Sequence, residues 1–179
     1  MAEPGYTLFE TPIGRCGLVW GEVGLLGVQL PETPPDEAER RLRRRFPLAV
    51  PADPPAAMRR VVERIVGLLS GVPDDLHDVP LDHAAIPDFE RRVYAVTRKI
   101  RPGETLTYGE VAARIGEPGA ARAVGRALGR NPFPIIVPCH RVLATGGGIG
   151  GFSADGGIAT KRRLLRIEGA RGYEPGLFD

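Results

Sequence analysis

The sequence predicts an α/β protein in two parts: a small N-terminal sheet-plus-helix domain over residues 1–87, and a mainly helical C-terminal domain over residues 88–179. Three observations carry this. Apolar or β-favouring runs separated by turn residues fill residues 6–30. Past residue 88 the apolar residues fall mostly at helical spacing. Between a helix-turn-helix outline and a last helix lies a loop, Pro138-Cys139-His140-Arg141.

Taken in order, the first strands are expected at 6–10, 17–20 and 25–30, with Thr11-Pro12-Ile13-Gly14 and Glu22-Val23-Gly24 as turns. Cys16 in the second reads as a small packing residue. A helix follows at 36–46, with an acidic start and arginines at its end in accord with the helix dipole. Its Arg41, Arg43, Arg44 and Arg45 are either a solvated helix end or a nucleic-acid contact. Residues 47–55 are proline-rich and read as irregular. Residues 56–69 repeat apolar side chains near helical spacing and stop at Ser70-Gly71. Residues 72–87 form a polar connector with at most one short strand near 79–81, and they hold His77 and His83, which read as exposed loop histidines.

In the second part, Asp88 is expected to cap a helix that buries Phe89, Val93, Tyr94, Val96 and Ile100. Thr107 and Glu110 have the spacing of a capping box for a helix over 108–115. The turn Gly116-Glu117-Pro118-Gly119 then leads to a helix over 120–130. On that helix Arg122, Arg126 and Arg130 recur every fourth residue beside Ala121, Ala123, Gly125 and Ala127. Residues four apart share a face, so the arginines form a basic stripe on an almost bare backbone. Such a helix fits against a phosphate backbone or packs closely inside the protein. A glycine-rich loop over 145–157 lacks the Lys-Ser/Thr ending of a nucleotide-hydrolysing P-loop. The last helix is expected over 160–168, with Leu164, Leu165 and Ile167 inward and Lys161, Arg162, Arg163 and Arg166 outward. The tail after Tyr173 reads as poorly ordered.

Composition narrows the function. With 42% hydrophobic and 26% charged residues this is an ordinary globular chain. No apolar stretch reaches membrane-spanning length and no signal segment opens the sequence. Two cysteines give no disulfide framework, which suits a reducing, cytoplasmic setting. Cysteines and histidines show no metal-ligand spacing, so neither a structural zinc nor a cofactor is expected. The net charge of +2 conceals an asymmetry: nine Lys/Arg against thirteen Asp/Glu in residues 1–87, and fifteen against nine in residues 88–179. The basic half suggests a polyanionic partner.

That half also holds the candidate nucleophile. Pro138 stops the apolar run 135–137 and presents Cys139 where it leaves the core, next to an imidazole and a guanidinium able to favour a thiolate. The alternative is a small buried cysteine with two surface neighbours.

With Thr107-Tyr108, Ala121-Arg122-Ala123-Val124-Gly125, Asn131-Pro132, Pro138-Cys139-His140-Arg141-Val142 and Glu168-Gly169 in this order, the chain resembles the O6-alkylguanine-DNA alkyltransferases across residues 88–170. The resemblance implies direct repair. Cys139 would take the alkyl group from O6 of guanine, with O4-alkylthymine as a further substrate. His140, through a water, and Glu168 would form a relay that favours the thiolate. Asn131 would brace the cysteine loop, and Tyr108 would donate to the departing guanine. Arg122 would fill the gap left by the flipped nucleotide, with Thr107, Ala121, Ala123, Gly125 and Arg126 along the DNA. Leu128, Pro134, Val142, Phe152 and Ser153 would line the pocket. The implied partner is double-stranded DNA carrying O6-alkylguanine, bound by a monomer without cofactor or membrane.

Many relatives have tyrosine where Phe152 stands, and Ala154-Asp155 lengthens the following loop, so the accepted alkyl groups are left open. Three rival readings remain. Alkyltransferase-like proteins bind the lesion without repair, but they replace the cysteine. A Cys-His hydrolase usually draws its base from a distant segment. A plain DNA-binding module leaves Cys139 and Glu168 without a purpose.

Overall fold

The computed structural model describes residues 2–174; residues 175–179, most of the tail expected to be poorly ordered, lie outside the described residues. The first half is a four-stranded mixed sheet in the order β3-β2-β1-β4 with helices on it. Strands β1 (Gly5–Thr11), β2 (Gly14–Trp20) and β3 (Leu25–Gln29) form an antiparallel meander. Alternation along β2 supplies both faces: Leu18 joins the main core while Val19 turns to Tyr6 and to Leu42 of α1 (Glu37–Arg45). Helix α2 (Ala56–Leu69), with Met58, Val61, Ile65, Leu68 and Leu69 inward, packs against β1 and the last helix.

The second half is mainly helical. Helix α3 (Asp88–Thr97) packs on α5 (Ala121–Gly129), where the buried Tyr94 hydroxyl donates to the Ala127 carbonyl at 2.7 Å. Helix α4 (Tyr108–Arg114) packs on both, completing the helix-turn-helix. Helix α6 (Ile158–Ile167) closes the chain. No described helix is long and apolar enough to cross a membrane.

Several expectations need correction. The stretch 47–55 contains β4 (Val50–Pro51), parallel to β1; its exposed residues pair through the backbone alone and leave no hydrophobic alternation to read. The strand expected at 79–81 is a single bridge, Leu25 to Leu81. Asp88 is the first helical residue and Pro87, in extended conformation, holds the cap position without a side-chain bond. His83 is not an exposed loop histidine, for it packs edge-on to Phe133 at 6.3 Å; His77 is exposed. In the second half, a two-stranded parallel pair, β5 (Leu106–Thr107) with β6 (Val142–Leu143), also went unforeseen. Two residues are too short for any periodic signal.

One buried cluster runs through both halves, from Leu18, Leu25 and Val28 to Tyr94, Val124 and Ile136. The edge strand β3 supports the cysteine loop directly: the Val28 amide donates to the Pro132 carbonyl at 2.9 Å. From α6, the Arg163 guanidinium donates to the Pro12 carbonyl at 2.7 Å.

Candidate active site

Four segments converge on Cys139. The first is the cysteine loop, residues 130–138, whose irregular path is fixed by Asn131. Its amide Nδ2 donates to the Val137 carbonyl at 2.9 Å, and its Oδ1 accepts from the Phe133 amide at 2.9 Å. Ile135, a buried β-branched residue, is held at φ 74°, a conformation only a firmly determined backbone imposes. The loop ends in a one-turn 3-10 helix, Cys139–Arg141.

The β5–β6 pair brings in the second segment. It lays Leu106 opposite Val142 and Thr107 opposite Leu143, so Tyr108, the next residue, arrives beside the cysteine loop. Thr107 caps α4 as expected: its hydroxyl accepts from the Glu110 amide at 3.1 Å and its amide donates to the Glu110 carboxylate at 2.7 Å. The glycine-rich loop is the third segment. Gly150, at φ 77°, passes so close that a Cβ there would stand 2.7 Å from the Tyr108 hydroxyl. Ser153 ties the loop to α5 through the Gly129 carbonyl at 3.3 Å.

The fourth segment is α6 with Glu168 just past its end. Glu168 is buried, and its carboxylate receives His140 Nε2 at 2.8 Å and the Arg141 guanidinium at 2.7 and 2.9 Å. Arg141 also donates to the Ile100 carbonyl at 2.6 Å. Thus Arg141 does not face the thiol; its place is behind His140, clamping Glu168. Burial alone would raise the Glu168 carboxyl, but His140 and Arg141 outweigh it and hold the group at about 2. His140 and Arg141 thus keep Glu168 a carboxylate down to about pH 2.

Burial lowers His140 despite Glu168, which favours the neutral ring. Its Nε2–H then points at Glu168, and Nδ1, buried and without a partner among the described residues, keeps a free lone pair. Burial likewise raises Cys139, against the pull of the Asn131 side chain, the Lys161 charge and the backbone amides of Cys139 and His140. Burial thus favours the neutral thiol and imidazole at rest, and the relay expected from the sequence has to work against it.

Lys161 is the residue the sequence reading misplaced. Expected outward on α6, it is fully buried. Its ammonium donates to the Val142 carbonyl at 2.6 Å, the Gly151 carbonyl at 3.2 Å and the Tyr108 hydroxyl at 3.5 Å. Burial lowers it to about 8, while the neighbouring Cys139 pulls it back up. The helix begins at Ile158, two residues earlier than expected, but the error lay in charge: a lysine four residues from Leu165 shares its inward face. Burial also raises Tyr108.

The remaining site residues fall into two groups. Leu128, Phe152 and Ser153 line two adjoining cavities that share Cys139, and Pro134 lines one of them. Val142 is buried, and its carbonyl is already engaged by Lys161. On α5, Val124, Ala127 and Leu128 face inward, leaving Arg122, Gly125 and Arg126 along the outer side, with Ala121 and Ala123 half-buried at its edges. Arg130, the third of the stripe, is paired with Glu90 at 3.3 Å.

The chain is similar to known proteins in both sequence and fold. The family model described as 6-O-methylguanine DNA methyltransferase, DNA binding domain, matches residues 88–170. The chain is 37% identical over 158 residues to the methylated-DNA–protein-cysteine methyltransferase of Methanothermobacter thermautotrophicus, covering 88% of this chain and 81% of that protein. It superposes on the crystal structure of Mycobacterium tuberculosis O6-methylguanine methyltransferase with a TM-score of 0.74 at 36% identity, covering 98% of this chain and 99% of that one. The crystal structure of Mycobacterium tuberculosis OGT in complex with DNA gives a TM-score of 0.72 at the same identity and coverage.

Proposed function

Because the chain belongs to the 6-O-methylguanine DNA methyltransferase family and repairs O6-methylguanine in DNA as a methylated-DNA–protein-cysteine methyltransferase, we propose that Cys139 is its alkyl acceptor and that each acceptor is used once. The observation that carries this reading is the chain of contacts behind the thiol: His140, held by the buried Glu168 carboxylate, held in turn by Arg141.

The protein binds DNA, and the proposed approach is to duplex DNA, as a monomer, through the outer face of α5. Arg122 and Arg126 meet phosphates, and the small residues allow the helix to come close. An O6-alkylguanine buried in the stack is out of reach of any thiol, so the nucleotide is turned out, at a cost of about a few kcal/mol. Arg122, exposed and without a carboxylate partner among the described residues, fills the gap and offsets that cost. The two halves divide this work at residue 87: residues 88–179 engage DNA and carry the acceptor, while residues 1–87 brace the cysteine loop.

In the pocket, the Cys139 thiol gives its proton to His140 Nδ1 through a water, and Glu168 stabilises the imidazolium that forms. The sulfur, a soft nucleophile, attacks the alkyl carbon. The carbon–O6 bond breaks with its electron pair passing to the guanine, which leaves as an anion. Tyr108 donates to that anion, and Lys161 acts on both partners at once, as a buried cation whose charge favours the thiolate and as a donor to the Tyr108 oxygen. The product is a thioether, which water does not cleave, so the protein is spent.

Stoichiometry tests this. With O6-methylguanine duplex in excess, repaired lesions should plateau at one per protein chain. Continued repair beyond one per chain would refute the acceptor reading, and lesion binding with no repair at all would favour the alkyltransferase-like alternative.

A further inference from the structure

Helix α3 supplies none of the four segments that converge on Cys139, yet two of its residues meet the place where α5 becomes the cysteine loop. Glu90 and Tyr94 are one helical turn apart and share a face. Glu90 pairs with the exposed Arg130 at 3.3 Å. Tyr94 is buried, and its hydroxyl donates to the Ala127 carbonyl at 2.7 Å.

The carbonyls that end a helix lack intrahelical donors of their own. Here the Arg130 amide is shared between the Arg126 and Ala127 carbonyls, both at 3.2 Å, and the Asn131 amide turns to the Leu128 carbonyl at 3.2 Å. Tyr94 therefore gives this last turn its shortest bond. What the turn carries is the site itself. Leu128 and Gly129 wall both cavities at Cys139. Asn131 braces Val137 and Phe133, and its side chain favours the Cys139 thiolate. Burial first, then the charges of Glu90 and Cys139, raise the Tyr94 phenol against the pull of Arg130, which puts the phenol within electrostatic reach of the sulfur.

Resting on the reading of Cys139 as acceptor, we propose that Tyr94 is a positioning residue for alkyl transfer: its hydroxyl holds the end of α5 so that the Leu128–Gly129 wall and the Asn131 side chain stand correctly against the sulfur. Tyr94 lines neither cavity, so it acts through these neighbours. Attack by sulfur needs the reacting atoms about 3–3.5 Å apart and in line, and a misplacement of about 1 Å costs about a hundredfold in rate. Loss of one buried hydrogen bond at the end of α5 permits a fraction of that shift. The Glu90–Arg130 pair, half in solvent, holds the same junction only weakly.

The test compares Tyr94→Phe with Tyr6→Phe by single-turnover transfer and thermal unfolding. Each variant removes the hydroxyl of a buried tyrosine from a 2.7 Å bond, Tyr6 from one to Glu39 in the N-terminal half. Both should lower the unfolding temperature by about 2–4 °C. Only Tyr94→Phe should slow methyl transfer at saturating O6-methylguanine duplex, by about tenfold, with the half-saturating duplex concentration within about twofold of wild type. Reaction with free O6-benzylguanine should slow by a similar factor, because the wall and Asn131 serve both substrates. A saturating rate for Tyr94→Phe within about twofold of wild type, a loss confined to duplex affinity, or equal slowing by Tyr6→Phe would overturn the proposal. No methyl on Cys139 of wild type would instead refute the acceptor reading beneath it.

Discussion

The cluster behind Cys139 and the outer face of α5 are both rich in cationic side chains, and they treat charge in opposite ways. Behind the cysteine, Arg141, Lys161 and Glu168 are buried; the two cations are answered by a carboxylate, carbonyls and a hydroxyl, and Glu168 by Arg141 and His140. On α5, Arg122 and Arg126 stand in solvent with no carboxylate within 4 Å among the described residues. Helix α1 shows what an ordinary surface does with such residues: Arg40 and Arg44 pair with Glu37, Arg40 also with Asp36, and Arg41 with Glu32. On the face of α5 proposed to meet DNA, the absence of local counter-charge leaves the positive field for a polyanion.

The largest break in this comparison should come from Glu168→Gln. It strips a buried guanidinium of its counter-charge, so stability should fall by about 3–5 kcal/mol in denaturant unfolding. Loss of the histidine's anchor should slow methyl transfer by about three orders of magnitude. Acid unfolding supplies a second readout. Glu168 is held at about 2 against an ordinary 4.5. The stability it contributes is therefore complete above about 4.5 and lost as pH falls toward 2, a segment the variant should lack.

Lys161→Met should slow transfer about tenfold to a hundredfold, since a cation beside the sulfur and the Tyr108 oxygen is removed. Its pH signature has the opposite sign. With a folded value of about 8 against 10.5, the buried ammonium opposes folding in full below about 8, and wild-type stability from this group should rise between about 8 and 10.5. Equal slopes for variant and wild type over that window would show that Lys161 is not the group concerned.

On the outer face the effects should be smaller and confined to duplex substrates. Arg122→Ala should slow repair in duplex DNA about tenfold while reaction with free O6-benzylguanine stays within about twofold, because only the first must offset base flipping. Arg126→Ala should reduce the slope of log affinity against log salt by about 1. Arg44→Ala, which removes an arginine already paired with Glu37, should change neither rate nor salt slope.

The second half was the more legible in sequence. A capping box at Thr107 and Glu110, a helix of small residues and arginines, and a proline before Cys139 each leave a local signature, and each stands where expected. What escaped was non-local. Lys161 looks like a surface lysine until α6 is laid against the β5–β6 pair and the glycine loop. Arg141 looks like the thiol's neighbour until the 3-10 turn points it toward Glu168, 27 residues away. The resting protonation of Cys139 and His140 depends on burial, which neighbours in sequence do not reveal. The short strands β4, β5 and β6 are held by backbone pairing and carry no pattern to read.

Intact mass and peptide mapping of wild type and Cys139→Ala after incubation with an O6-methylguanine duplex test the central claim most directly. Wild type should gain a single methyl, mapped to Cys139, and Cys139→Ala should bind the duplex and gain nothing. A methyl found on Cys16, which is buried and pushed up to about 12, or an alanine variant that still accepts the group, would contradict the account.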